Sequence, residues 1–146
     1  MNILFLTVSR IDDINNRGIY TDLLRHFIKE GHRIFIVSPS ERRFGKKTYL
    51  MEDENYSLLK VKTLNFQKTN FIEKGFGTIL LEYQFEKAIN RYFKQIRFDL
   101  ILYSTPPITL TRIIEKIKTR DRAKTYLLLK DIFPQNAVDI GMMSPK

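Results

Sequence analysis

Apolar and polar positions along the chain follow two rhythms in alternation. Residues 2–8 (NILFLTV) are a continuous apolar run, too short for a helix, and predict a strand buried on both faces. A polar loop, SRIDDINNRG, leads to residues 19–30, where Tyr20, Leu23, Leu24, Phe27 and Ile28 recur at helical spacing. Gly31 is placed to end that helix, and Arg33–Ser38 (RIFIVS) reads as a second strand stopped by Pro39. Strand, loop, helix, glycine and strand in this order predict a βαβ unit.

Residues 39–57 are polar and basic and read as loop, with at most a short turn of helix in LMEDENY. Leu58–Leu64 alternates as a third strand, whereas residues 65–77 show no clean period of either kind. From Thr78 to about Gln95, Leu81, Phe85, Ala88, Ile89 and Tyr92 predict a second helix. Asp99–Tyr103 reads as a fourth strand. Ser104-Thr105-Pro106-Pro107 then reads as the cap and first turn of a third helix, whose stripe is Leu110, Ile113, Ile114 and Ile117. Lys124–Lys130 predicts a fifth strand. The fold class that follows is α/β: a Rossmann-like, doubly wound parallel sheet with helices on both faces. The chain closes with DIFPQNAVDIGMMSPK and no further helix, although such a sheet usually covers its last strand. The expectation is one domain over 1–146, truncated at its C-terminus.

Composition narrows the classes. Without cysteine, disulfides, thiolate metal sites and cysteine nucleophiles are excluded, and His26 and His32 alone are too few for a histidine metal centre. The 11 Phe and 7 Tyr spread along the chain argue against disorder. No stretch reaches the roughly 18 consecutive apolar residues of a transmembrane helix, and MNILFLTVSR lacks the basic start of a signal peptide. The expected location is therefore the cytoplasm. With 25 Lys+Arg against 16 Asp+Glu, the net charge of +9 favours polyanionic partners: nucleic acid, an anionic membrane or phosphate-bearing ligands. Arg42, Arg43, Lys46 and Lys47 crowd one loop, and Arg112, Lys116, Lys118, Arg120, Arg122 and Lys124 a second stretch. Each is equally well a solvated face.

In an open α/β sheet, ligands meet the loops at the carboxyl ends of the strands. The first such loop has neither GxGxxG nor a Walker pattern, which counts against ordinary dinucleotide and P-loop nucleotide binding. Gly18 permits close approach, and Ile19, Tyr20 and Thr21 begin a helix that can hold an anion or a sugar hydroxyl; a plain tight turn explains them equally. Asp12 and Asp13, with no third ligand nearby, are weak metal ligands and read as exposed loop acids. No metal site is predicted. Ser104 and Thr105 offer hydroxyls to a substrate or simply cap a helix. Asp131 follows an apolar strand at the carboxyl edge, fit for a general base or for a turn acid, and Gln135 and Asn136 add amides.

The block LLLKDIFPQNAVDIGMM (127–143), with YSTPPITL (103–110) and the opening MNILFLT…RGIYTDLLRHFIKEGHRIFIVSPSER, resembles the N-terminal half of family 4 glycosyltransferases. The likeness is to bacterial enzymes of capsule and O-antigen assembly, of the aminodeoxyhexose transferase type. It implies one half of a GT-B fold: the acceptor-binding domain of a retaining, metal-independent transferase. The nucleotide-sugar donor would bind a second domain that these residues do not include, so no cofactor is expected here. The implied partners are the nucleotide sugar and a polyprenyl-linked or oligosaccharide acceptor. Within the matching KDIFP block, Asp131 is the catalytic candidate. The pattern departs from the family at Arg17-Gly18, where many members have two glycines, and at Ser104-Thr105, where many have a histidine. A lipid-linked acceptor also implies approach to the inner face of the cytoplasmic membrane. For that surface the residues are Arg42, Arg43, Lys46 and Lys47 with Phe66, Lys68, Phe71, Lys74 and Phe76. The competing reading is a stand-alone basic module for nucleic acid or another phosphate-bearing ligand. It lacks any helix-turn-helix, RNP or zinc pattern, so no specific nucleic-acid partner is expected.

Overall fold

The computed structural model describes residues 1–65, 71–104, 110–129 and 141, with the backbone alone over 71–79. Its elements are β1 (Asn2–Leu6), α1 (Ile19–Lys29), β2 (Arg33–Glu41), a 3₁₀ turn (Arg42–Phe44), β3 (Tyr49–Glu52) and β4 (Tyr56–Thr63). They are followed by α2 (Phe71–Tyr92), β5 (Leu100–Ser104), α3 (Thr111–Asp121) and β6 (Lys124–Leu128). The sheet order is β3-β4-β2-β1-β5-β6. All pairs are parallel except β3 with β4, so the five parallel strands carry the Rossmann order and reverse direction of travel between β1 and β5.

The apolar runs explain why the sheet is covered twice. One set of strand residues, Ile3, Phe5, Ile34, Ile36, Leu58 and Leu102, faces α1, whose Leu24 is buried among them. The opposite set, including Leu4, Leu6, Phe35, Val37 and Ile101, faces α2 and α3 through Leu81, Phe85, Ile113 and Ile117. Phe35, Phe93 and Phe98 meet edge to face under α2, with ring centroids 5.3 to 6.2 Å apart. At the end of α1, Gly31 has φ 79, and the N–H groups of Gly31 and His32 donate to the carbonyls of Ile28 and Phe27. This is the double bond of a Schellman ending, the reason for a glycine there.

Four local expectations are corrected. Pro39 does not stop the second strand, which runs on to Glu41. The Thr7 N–H donates to the Val37 carbonyl, so alternation turns Pro39 toward the β1 side, beyond the point where β1 ends. The missing N–H costs no ladder bond there. The LMEDENY stretch is loop only over 53–55; residues 50–52 belong to β3, an antiparallel strand registered on β4 from Tyr49↔Lys60 to Glu52↔Ser57. The second helix begins at Phe71 rather than Thr78. Finally, α3 begins at Thr111, not at the Ser104–Pro107 segment; Ser104 belongs to β5, and residues 105–109 lie outside the described residues. The cap of α3 comes instead from its neighbour, for Glu82 Oε1 on α2 accepts from the Ile113 N–H at 3.0 Å.

Candidate functional site

The β1–α1 loop leaves the carboxyl edge at the crevice where strand order reverses. Thr7 Oγ1, at the end of β1, shares a 3.2 Å hydrogen bond with Ser104 Oγ at the end of β5, and both residues are buried. Thr7 Oγ1 also accepts from the Ser9 N–H. Ser104 is thus engaged across the switch point. It is a seam residue rather than the helix cap that its sequence context suggests.

Beyond Ser9 the loop doubles back over β2 and β4. Ile11 and Ile14 plug into the α1-side core, which pins the loop by apolar burial. Ser38 Oγ accepts from the Ile11 N–H at 2.8 Å and donates to the Ser9 carbonyl at 3.0 Å. Arg25, on α1, donates to the carbonyls of Ile14 and Asn16 and pairs with Asp22. Together these contacts shape an open hollow of about 230 Å³ lined by residues 9–13 and 16–21.

Gly18, Ile19 and Tyr20 all line this hollow. Gly18 has φ 174, ordinary extended backbone, so no left-handed geometry requires glycine there. What constrains it is space: a Cβ would meet Thr21 Oγ1 at 3.3 Å. That hydroxyl donates back to the carbonyls of Asn16 and Gly18. No side chain caps the start of α1, and Asp22 Oδ1 instead accepts from the Gly18 N–H at 3.4 Å. Ile19 stands 72% exposed at the mouth, and Tyr20 packs its ring against Phe5 at 5.3 Å. The hollow therefore offers backbone amides, hydroxyls and an apolar lip, a set suited to a polyhydroxylated ligand.

The basic turn after β2 borders the same edge. Arg10 pairs with Asp12 at 2.7 Å and stacks on the Phe44 ring with its guanidinium carbon 3.8 Å from the centroid. Arg43 reaches the same ring at 5.3 Å, binds the buried Glu41 at 2.5 Å, and donates its backbone N–H to Asn65 Oδ1. Lys46 lies over Tyr49 at 5.8 Å, and Arg42, Lys46 and Lys47 are exposed. The second basic stretch is different in kind. Lys116 pairs with Glu86, Lys118 with Glu115 and Arg120 with Asp121, so three of its six cations are paired with acids.

Sequence reasoning missed the innermost member of the site. Lys60 on β4 is 1% exposed and lies beneath the loop. Its Nζ donates to the Ile11 carbonyl at 2.6 Å and to Ser38 Oγ at 3.3 Å, and reaches Asp12 Oδ1 at 3.1 Å. Burial lowers its pKa below the ordinary lysine value, and the charges of Arg10 and Lys46 add to that, against the hydrogen bond and charge of Asp12. Asp12 responds in the complementary way: burial raises it, but hydrogen bonds and charges from Arg10 and Lys60 outweigh burial and hold it below the usual value. Asp12 is thus an exposed loop acid, as expected, but one held in place by Arg10 and Lys60. The sequence signal for Lys60 was its strand parity, shared with the buried Leu58.

Of the other candidates, Asp131, Gln135, Asn136, Thr105, Phe66 and Lys68 lie outside the described residues. Phe71, Lys74 and Phe76 fall on the part of α2 described by backbone alone. Among the described residues no cluster of three His, Cys, Asp or Glu is arranged to hold a metal, and no helix is long and apolar enough to cross a membrane.

Against known proteins, no protein-family model matches the chain and no curated sequence matches it significantly. Solved structures do match. One, from E. coli, is described as trehalose-6-phosphate bound with UDP-2-fluoro glucose and is a GT-B glycosyltransferase. It superposes with a TM-score of 0.58 at 8% identity over 86% of this chain. The chain spans 32% of that structure's length. At this identity the likeness establishes the fold, a Rossmann-like α/β sheet of the kind found in GT-B enzymes.

Proposed function

We propose that this chain is the acceptor-binding half of a glycosyltransferase that moves a sugar from a nucleotide sugar to a glycan acceptor. The observation that carries the reading is the hollow formed by the β1–α1 loop at the carboxyl edge, on a sheet whose order and outline fit a GT-B half. The matched structure's bound UDP-2-fluoro glucose supports a nucleotide sugar as the donor class. The finer reading, a retaining and metal-independent enzyme of the family 4 type in capsule or O-antigen synthesis, rests on the DIFPQNAVDIGMM block.

In this reading the acceptor sugar lies in the hollow against Gly18, Ile19 and Tyr20, and the donor is held by a second domain. Asp131, which follows the last strand in sequence, takes or orients the acceptor hydroxyl proton in this reading. A general base of this kind contributes about 10²–10⁴-fold to rate. Thr105, with Gln135 and Asn136, completes the hydroxyl-binding side, while Ser104 is kept from the ligand by its buried bond to Thr7. Arg42, Arg43, Lys46 and Lys47 serve the phosphates of a lipid-linked acceptor or the anionic surface that carries it.

The test is a transfer assay with three proteins: the full-length gene product, its Asp131→Asn variant, and residues 1–146 alone. Transfer from a sugar nucleotide is expected from the full-length product, at a rate lower by about 10²-fold or more from the variant, and not from residues 1–146 alone. Turnover by residues 1–146 alone contradicts the two-domain division. A folded Asp131→Asn enzyme with unchanged turnover removes Asp131 from the mechanism. Failure of the full-length product to transfer from any sugar nucleotide overturns the reading as a whole.

A further inference from the structure

We propose that Lys60 is the positioning residue of the candidate acceptor site: its buried ammonium clamps Ile11 and Asp12 and so fixes the wall of the hollow. The inference deepens the acceptor-site reading above and rests on it for the hollow's purpose.

The geometry is that of a clamp. An ammonium has three donors and no acceptor, and each of the three here is directed to a partner at the loop's root. Ile11 is held twice over, its carbonyl by Lys60 at 2.6 Å and its N–H by Ser38 Oγ at 2.8 Å. Ser38 also binds the Ser9 carbonyl, so Lys60 and Ser38 together tie residues 9, 11 and 12 to β2 and β4. Residues 9–12 form one wall of the hollow, and Gly18–Tyr20 form the other. The second wall has its own anchor, for Arg25 holds Ile14 and Asn16. Lys60 is set apart by its origin, on a strand 49 residues downstream of the carbonyl that it binds. The separation between the walls thus depends on the sheet, not on the loop's own sequence.

The clamp extends outward through Asp12. This carboxylate also binds Arg10, which stacks on Phe44 of the basic turn. A continuous line of contacts therefore joins buried Lys60 to the exposed cationic edge. Burying a lysine is costly, and exchange of a buried ion for an apolar side chain of similar volume is often neutral or stabilising to the fold. A residue kept for core stability alone has no need of this chemistry. One kept for loop geometry does.

That contrast gives the test, made on the whole 146-residue chain with Lys60→Met. Amide exchange followed by NMR is expected to rise about ten-fold or more at Ile11, while Ile36 and Val37 in β2 keep their protection. In the wild-type chain, the Lys60 ammonium is expected to give a slowly exchanging ¹⁵N–¹H signal, unlike exposed Lys29 or Lys47. In an active full-length transferase, Lys60→Met is expected to raise the acceptor KM about ten-fold with the sugar-nucleotide KM unchanged. Unchanged exchange at Ile11, a rise only in step with β2, or a Lys60 ammonium that exchanges like the exposed lysines overturns the proposal. So does an equal rise in both KM values. The ammonium measurement needs no variant and decides the matter if Lys60→Met does not fold. Neither NMR measurement involves a sugar, so loss of the transferase reading leaves the clamp standing, and loss of the clamp leaves the transferase assay untouched.

Discussion

Asp121, in the last turn of α3, accepts from the Arg120 guanidinium through both oxygens at 2.7 Å and from the Phe98 N–H at 3.1 Å. Burial pushes its carboxyl up, but those hydrogen bonds and the charges of Arg120 and Arg97 outweigh burial and hold its pKa below 3.8. A carboxyl depressed on folding stabilises the native state above its unfolded pKa, and that share is lost as pH falls through the folded value. The acid limb of the stability curve below about pH 3.9 is therefore expected to flatten in Asp121→Asn, as read by urea midpoints across pH. An acid limb identical to wild type would show that Asp121 contributes nothing to it. Asp12 and Lys60 make the same point about residues in reverse. A sequence displays an acid in a loop and a lysine in a strand, and only the fold reveals that the two touch.

At the scale of elements, two helices end on a left-handed residue, one suited to it and one not. Gly31 closes α1 at φ 79, with open space where a Cβ would stand, and Arg122 closes α3 at φ 57. The strain of a side chain in that region costs about 1 kcal/mol, which is about 3 °C in a domain of this size. Gly31→Ala is expected to lower Tm by that amount and Arg122→Gly to raise it, as measured by calorimetry. Shifts of the same sign would refute the account. Gly31 was legible because glycine after an amphipathic stripe is a local signal, and the strands and stripes were legible for the same reason. The missed elements lack local signals. In β3, YLME runs into the acids of MEDEN and owes its strand to β4. The first turns of α2 carry Gly75 and Gly77, poor helix formers that blur the period. The start of α3 is capped by Glu82, 31 residues away from the N–H that it accepts from. Of the candidate site, Gly18–Tyr20 could be placed from position alone, whereas the clamp beneath it could not.

At the scale of the molecule, the charge of +9 is unevenly distributed. The helix-borne cations on α3 are largely paired with acids, whereas the turn after β2 leaves Arg42, Lys46 and Lys47 exposed beside the hollow. Each cation near an anionic leaflet gains about 1 kcal/mol, and exposed charges are screened beyond about 8 Å at physiological salt. In vesicle sedimentation, the chain is expected to bind anionic vesicles at low salt and to leave them as salt is raised. Replacement of Arg42, Lys46 and Lys47 by glutamine should abolish the binding. Equal binding to neutral vesicles would exclude this basic edge as its cause.

The central place of β1 carries a consequence for how the chain assembles in time. β1 pairs on one side with β2 and on the other with β5, and the Asn2 N–H donates to Asp99, 97 residues away. β1 is therefore half-partnered as soon as β2 emerges from the ribosome, and then waits for β5. At ordinary synthesis rates of about 5–20 residues per second, that interval is about 3–13 s. Through it, one open edge of the sheet's innermost strand is a template for the wrong chain. A short wait before β5 arrives thus follows from a sheet in which β1 lies between β2 and β5.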